Sequence, residues 1–324
     1  MTTANKRKKR PFIRIFLPVF LILIVVFAGG MFLIDKYGFL GLFGGDIMDG
    51  LVPIAGEDSD FARKYEDSKR INILVLGENQ GLTDTIMLAS FDTEIKRVDL
   101  ISVPRDTYYE RPDYPGAALQ KINSVFKSEG SADDPEQGAV AMARAVSDVL
   151  CGVPIHFYDI YSDDDIKKIV DAMGGIEIDV PMNMKYTDKK QNLYIDLKKG
   201  KQTLNGDQAV QFLRYRKGYK MGDLGRVEAQ QSFMKEAFKQ SIGLGFPKVA
   251  KTVMDNVESN MAGKMAIRIG SEAVGMKAKD MKTWMTPGEA KMMNGASYYI
   301  VDESKTEDMM NKIFSMKPPE DKNK

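Results

Sequence analysis

Residues Ile15 to Ile34 form a nearly unbroken apolar run, and just before it stand Lys6, Arg7, Lys8, Lys9, Arg10 and Arg14. About 20 residues at ~1.5 Å rise cross a hydrocarbon core of about 30 Å. Only Asp35 and one lysine, Lys36, follow directly. The excess of positive charge on the N-terminal side predicts a cytoplasmic head at 1–14 and a transmembrane helix at 15–34. Everything after the helix is then outside the cell membrane. A cleaved signal peptide is the rival reading. The run is long for one, and its small residues, Ala28-Gly29-Gly30, are followed by the apolar Met31 to Ile34. A retained single-pass anchor is therefore expected. The basic cluster read alone would suit nucleic acid, but its place against an apolar span makes it a topological signal.

Composition narrows what the rest can do. The chain has 324 residues, a net charge of +1, one cysteine (Cys151) and one histidine (His156). That balance gives no pull toward nucleic acid, and none is expected as a partner. A disulfide framework, a thiolate zinc cluster and a multi-histidine metal site are excluded, and His156 is the one imidazole open to a triad. Any chemistry must run on Asp, Glu, Arg, Lys, Asn and hydroxyls. Cys151 reads as a small packed residue and His156 as part of a strand.

Residues 35–69 read as a juxtamembrane spacer, first glycine-rich and partly apolar, then acidic at Gly56-Glu57-Asp58-Ser59-Asp60. From Arg70 the pattern alternates between strand and helix. Strands are predicted at Ile71–Leu76, Asp84–Phe91, Arg97–Val103, His156–Tyr161, Ile176–Val180 and Tyr298–Val301. Helices are predicted at Ser131–Leu150, Asp163–Met173 (capped by Ser162 and stopped by Gly174-Gly175), Asp207–Leu213, Arg226–Ile242 and along Pro247–Lys282. This order implies an α/β domain over 70–316, a central mixed sheet flanked by helices, with 317–324 as a disordered tail.

Two polar clusters fall where elements end. Pro104 stops an apolar strand and presents Arg105 and Asp106 at its carboxyl end, near Thr83-Asp84. The second cluster holds Arg214-Tyr215-Arg216, Asp223 and Arg226, with Gln230-Gln231 one turn on. Arg226 and Gln230 are four apart and share a helix face. Guanidinium groups make planar, permanently charged contacts to phosphate, and a nearby carboxylate suits Mg²⁺. The plainer alternatives are a structural Arg–Asp pair and a solvated arginine-rich helix face.

The ordered series Asp84-Thr85-Ile86-Met87-Leu88, Ser102-Val103-Pro104-Arg105-Asp106-Thr107, Lys121-Ile122-Asn123, Met173-Gly174-Gly175-Ile176, Leu204-Asn205-Gly206 and Arg214-Tyr215-Arg216 resembles the LytR-CpsA-Psr family over about Arg70 to Gln240. The resemblance implies transfer of a glycopolymer, such as teichoic acid or capsule, from a polyprenyl (pyro)phosphate carrier to peptidoglycan or another envelope acceptor. It further implies an apolar lipid pocket and Mg²⁺. By motif, Arg105, Lys121, Arg214, Arg216, Arg226 and Gln230 would hold phosphate. Arg105, Asp106 and Asp223 would serve catalysis, either Asp106 or Asp223 deprotonating the acceptor hydroxyl. Asp84 and Asn79 would hold the metal. Three positions depart from the family pattern: Asn79 stands for an aspartate, Leu82 for an arginine and Ala229 for another arginine. These departures open a second reading, a degenerate domain that binds polyprenyl phosphate or wall polymer without turnover.

Overall fold

The computed structural model describes residues 46–79, 81–130, 134–189, 193–219, 223–241, 255–273 and 276–316. The predicted head, membrane span and tail lie outside the described residues. Among those described, no helix is long and apolar enough to cross a membrane.

The strands are β1 (Arg70–Asn79), β2 (Leu82–Asp92), β3 (Arg97–Ser102), β4 (Phe157–Tyr161), β5 (Ile176–Val180), β6 (Met184–Asp188), β7 (Leu193–Leu197), β8 (Gly200–Leu204), β9 (Glu258–Ser259), β10 (Met281–Met285), β11 (Gly288–Met293) and β12 (Ala296–Val301). The helices are α1 (Asp60–Lys64), α2 (Val125–Glu129), α3 (Pro135–Val149), α4 (Asp163–Ala172), α5 (Gly206–Arg214), α6 (Asp223–Ser241), α7 (Gly263–Ala273) and α8 (Glu303–Phe314). A six-stranded sheet runs in the order β10-β3-β2-β1-β4-β9. β1 is antiparallel to β2 and parallel to β4, so the sheet is mixed.

The central strands are apolar along their whole length because both faces are covered. Ile71, Ile73 and Val75 point to one face, packed with Ile166 of α4, Phe212 of α5 and Phe233 of α6. Leu74 and Leu76 point to the other, packed with Met142 of α3 and Met310 of α8. A period of two thus divides one strand between two cores.

Local signals set the helix boundaries. Ser162 forms a capping box with Asp165 and starts α4, and Gly174 and Gly175 end it at φ +81° and +96°. Asn205 does the same for α5 through Gln208. Asp134 and Pro135 open α3, later than the predicted Ser131, which lies outside the described residues.

Three expectations change. The stretch predicted as helix from Pro247 to Lys282 holds, in its described part, β9, α7, a 3-10 turn at Ala278–Asp280 and the start of β10. β10 forms because its backbone completes the ladder of β3, with Trp284 Nε1 donating to Asp99 at 2.7 Å. The strand at Tyr298–Val301 begins at Ala296 and pairs with β11 in a separate hairpin, turned by Asn294-Gly295 at positive φ. Finally, the described part of the predicted spacer packs onto the domain. Ile47 joins one core, Ala55 bridges Ile155, and Phe61 stacks edge-on against Phe314 of α8 at 4.9 Å.

At one end of the sheet a buried guanidinium joins three strands. Arg70 meets Asp99 at 3.1 Å and Asp92 at 3.3 Å, and its guanidinium lies 5.2 Å from the ring centre of Phe314. Removing one partner of a buried ion pair leaves the others desolvated and uncompensated. Arg70→Ala is expected to destabilise the domain by about 3–5 kcal/mol, read from chemical denaturation.

Asp159 of β4 is fully buried, and burial pushes its carboxyl from 3.8 up to about 8. The unfolded chain releases this proton from about pH 4 and the folded chain only near pH 8. Rising pH therefore favours unfolding across that window. Relative to Asp159→Asn, which cannot titrate there, the wild type should lose stability steadily from pH 4 to pH 8. Denaturation of both proteins at several pH values measures that difference.

Candidate functional site

The site is built where β2 begins, β3 ends and α6 starts. Between Gly77 and Glu78 the β1–β2 register shifts. Gly77 faces Thr85 and Glu78 faces Thr83, so Asp84 is an extra residue without a counterpart on β1. Such a bulge re-aims the side chain it carries. Asp84 is thereby buried at the sheet end, where Arg105 Nη1 donates to its Oδ1 at 2.8 Å.

Arg105 reaches it because the chain leaves β3 through Val103 and Pro104. Its Nε also lies 3.8 Å from Asp106 Oδ2. Asp106 in turn accepts from Lys121 Nζ at 2.7 Å, and that ammonium sits 5.8 Å from the centre of the Tyr298 ring. The β11–β12 hairpin therefore backs the Asp106–Lys121 pair, and Tyr299 N donates to the Asp106 carbonyl at 2.8 Å.

From α6, Arg226 Nη2 makes a long contact of 3.5 Å to the Asp84 carbonyl. Gln230 Nε2 donates to the Leu213 carbonyl at 3.4 Å, which ties the first turns of α6 to the end of α5 beside Arg214. Arg214, Arg226 and Gln230 are all buried, although each is a polar side chain. Buried polar groups of this kind mark a site or a structural network.

Asp84, Thr85, Ser102, Arg105, Arg226 and Gln230 line one narrow cleft of about 10 Å³, room for roughly one water molecule. Of the residues singled out from the sequence, the structure brings Asp84, Arg105, Arg226 and Gln230 together there. Asp106 and Lys121 form the adjoining pair. Arg214 ends α5 next to the Gln230 contact, and Arg216 lies two residues on. Asn79 ends β1 opposite Leu82, and Asp223 begins α6. The side chains of Asn79 and Asp223 lie outside the described residues.

Sequence reasoning passed over three contributors. Thr85 and Ser102 line the cleft, and both had read as strand residues. Gln231 was noted but given no role. Its Nε2 donates to Ser102 Oγ at 3.2 Å and to the Trp284 carbonyl at 3.3 Å, pinning α6 to β3 and β10. Nothing in a linear motif distinguishes such residues from packing. Among the described residues, no group of three or more His, Cys, Asp or Glu side chains is arranged to hold a metal.

The LytR-CpsA-Psr family model matches residues 53–315, the whole of this architecture and every residue of the cleft. The chain belongs to the LytR-CpsA-Psr family. Its relatives include a polyisoprenyl-teichoic acid–peptidoglycan teichoic acid transferase, TagU, of Bacillus anthracis. That protein is 27% identical over 266 residues, covering 79% of this chain and 82% of the relative. TagU of Oceanobacillus iheyensis is 27% identical and covers 92% of both chains. Among solved structures, Bacillus subtilis TagV superposes with a TM-score of 0.61 at 23% identity, covering 78% of this chain and 99% of that one. TagT bound to LIIa-WTA superposes with a TM-score of 0.57 at 19% identity, covering 76% and 89%. These likenesses establish the fold as that of the family.

The Asp106–Lys121 pair is partly exposed, so its contribution to stability is small. Lys121→Met is expected to cost less than about 1 kcal/mol in a denaturation experiment, so that any loss of function in this variant reports on the site.

Proposed function

We propose that the chain transfers a glycopolymer, teichoic acid or capsule-like, from a polyprenyl (pyro)phosphate carrier to peptidoglycan or another envelope acceptor. The observation that carries this reading is the cleft itself. A partly exposed arginine, a buried arginine and a buried amide line one cleft with a buried carboxylate at the end of a sheet, inside a chain of this family. The relatives named as teichoic acid transferases support this substrate class.

In the transfer, the acceptor hydroxyl oxygen forms a bond to the phosphorus that carries the polymer. The bond from that phosphorus to the bridging oxygen breaks, and polyprenyl phosphate leaves. Arg105, Arg226 and Gln230 hold the phosphates and offset the charge that builds on them, with Arg214 and Arg216 beside them and Lys121 at the rim. Asp106 or Asp223 accepts the hydroxyl proton. Asp106 lies at the rim, bonded to Lys121 and 3.8 Å from Arg105 Nε.

Asp84 would hold Mg²⁺, with Asn79 as a second protein ligand. With one described carboxylate, Asp84, the reading is of an ion shared with phosphate oxygens and water, which Mg²⁺ accepts readily, rather than a cage made of protein alone. When bound, the ion neutralises phosphate charge. The reading also places the domain on the outer face of the membrane, held by the predicted span at 15–34.

Leu82 and Asn79 support a second reading, a non-catalytic domain that binds polyprenyl phosphate or wall polymer. The two residues pair in register, and the family resemblance would lead one to expect arginine and aspartate there. Full-length protein in detergent, given Mg²⁺, a polyprenyl-pyrophosphate-linked glycan and peptidoglycan, should move the glycan and release polyprenyl phosphate. Arg105→Ala should lower the rate by about 10²–10³. Lipid binding without turnover, with turnover appearing in the Leu82→Arg, Asn79→Asp double variant, would select the second reading.

A further inference from the structure

Thr85 is the cleft residue whose state is hardest to explain by packing. It is buried, and its Oγ1 has no hydrogen-bond partner among the described residues. Buried hydroxyls almost always find a partner, because leaving one unmade costs on the order of 1–3 kcal/mol. Its neighbours in the cleft are engaged. Arg105 binds Asp84, Gln230 binds the Leu213 carbonyl, and the Ser102 hydroxyl accepts from Gln231.

The surroundings explain how the hydroxyl stays open. Thr85 follows the bulged Asp84 directly and is the first β2 residue back in register with β1. Its β1 partner is Gly77, which has no side chain to crowd or bond it. The cleft holds about 10 Å³, the space of roughly one water-sized atom. A hydroxyl with a free proton, two guanidinium groups and an amide around a space of that size match a single phosphoryl oxygen. Such an oxygen is negatively charged and has up to three lone pairs, enough to accept from the hydroxyl and the two guanidinium groups.

We propose that Thr85 Oγ1 is a substrate-binding donor, which hydrogen-bonds one non-bridging phosphoryl oxygen of the polyprenyl-linked phosphate as that oxygen enters the cleft. The proposal rests on the phosphate-transfer reading of the cleft and adds a residue that the arginine motifs do not contain. A neutral donor adds a hydrogen bond without adding charge, and its hydroxyl proton can rotate to meet the oxygen.

The test is binding of inorganic pyrophosphate to the full-length protein in detergent, by calorimetry with and without Mg²⁺. Wild type, Arg105→Ala, Thr85→Val and Thr85→Ser are compared. Thr85→Val keeps the shape and removes the hydroxyl, and Thr85→Ser keeps the hydroxyl. The expected result is at least tenfold weaker binding for Thr85→Val, with Thr85→Ser within threefold of wild type. The ligand-free melting temperature of Thr85→Val should be equal to or above that of wild type, because a hydroxyl with no partner is removed. Wild-type affinity in Thr85→Val overturns the proposal. So does equal loss in both Thr85 variants, which would assign the effect to the methyl group. A lower ligand-free melting temperature in Thr85→Val also overturns it, because the hydroxyl would then be structural. If folded wild type and Arg105→Ala bind pyrophosphate equally poorly, the phosphate reading of the cleft falls, and this proposal with it. If Arg105→Ala loses binding and Thr85→Val does not, only the assignment to Thr85 falls.

Discussion

The buried guanidinium of Arg70 is the constraint on which the central sheet depends. An arginine stripped of water at the start of β1 is tolerable only where carboxylates meet it, and Asp92 and Asp99 come from β2 and β3. Those two contacts fix how the three strands align. A slip of one residue would move every apolar side chain to the opposite face and separate the charges. Asp99 is shared further, with Arg97 and with the indole of Trp284, so the same carboxylate also holds β10. The edge of the sheet is therefore ordered by the same charge that aligns its centre.

With one end aligned this tightly, the other end can afford an irregularity. The bulge at Asp84 lies eight residues before Asp92 along β2, and the ladder between them runs in register from Thr85 onward. Asp84 is thus displaced from the regular pleat by a fixed amount. α6 is fastened above it by Gln231, which grips β3 and β10 at once. Arg226 and Gln230, one helical turn apart, are presented together to the spot that the bulge opens. Stability and chemistry occupy opposite ends of the same three strands.

Much of this was legible in the residues, and the parts that were not have physical reasons. The central strands announce themselves as continuous apolar runs because both faces are buried. Ser162, Asn205 and Gly174-Gly175 mark helix ends because capping is local chemistry. Asp84, Arg105, Arg226 and Gln230, which the structure brings to one cleft, stand out in the sequence because charged and polar side chains at element ends are conspicuous. The bulge was not, because it depends on how two strands pair rather than on either sequence. Pro247 to Lys282 misled for a similar reason: Met281 to Met285 is a strand only because β3 offers it an edge. The short strands β6 to β8 and the final helix α8 also escaped, the strands for being half exposed and the helix for a polar majority in Glu303 to Phe314. Thr85 reads in the sequence as nothing more than a strand residue, since only the folded structure leaves its hydroxyl without a partner among the described residues.

The ion pair between Arg105 and Asp84 has one more consequence. It fills the cleft with the protein's own charges, so the domain carries an internal competitor for its ligand. On the proposed phosphate-binding reading, an anion that binds Arg105 Nη1 would have to take it from Asp84 and make good the loss, and its apparent affinity would fall by the fraction of time the pair is closed. A small anion with one point of attachment gains too little to do so. A ligand that engages several donors at once, or brings a cation for Asp84, recovers the difference. On the proposed phosphate-binding reading, the closed pair would act as a threshold that favours a multiply charged group delivered in one piece over simple phosphate.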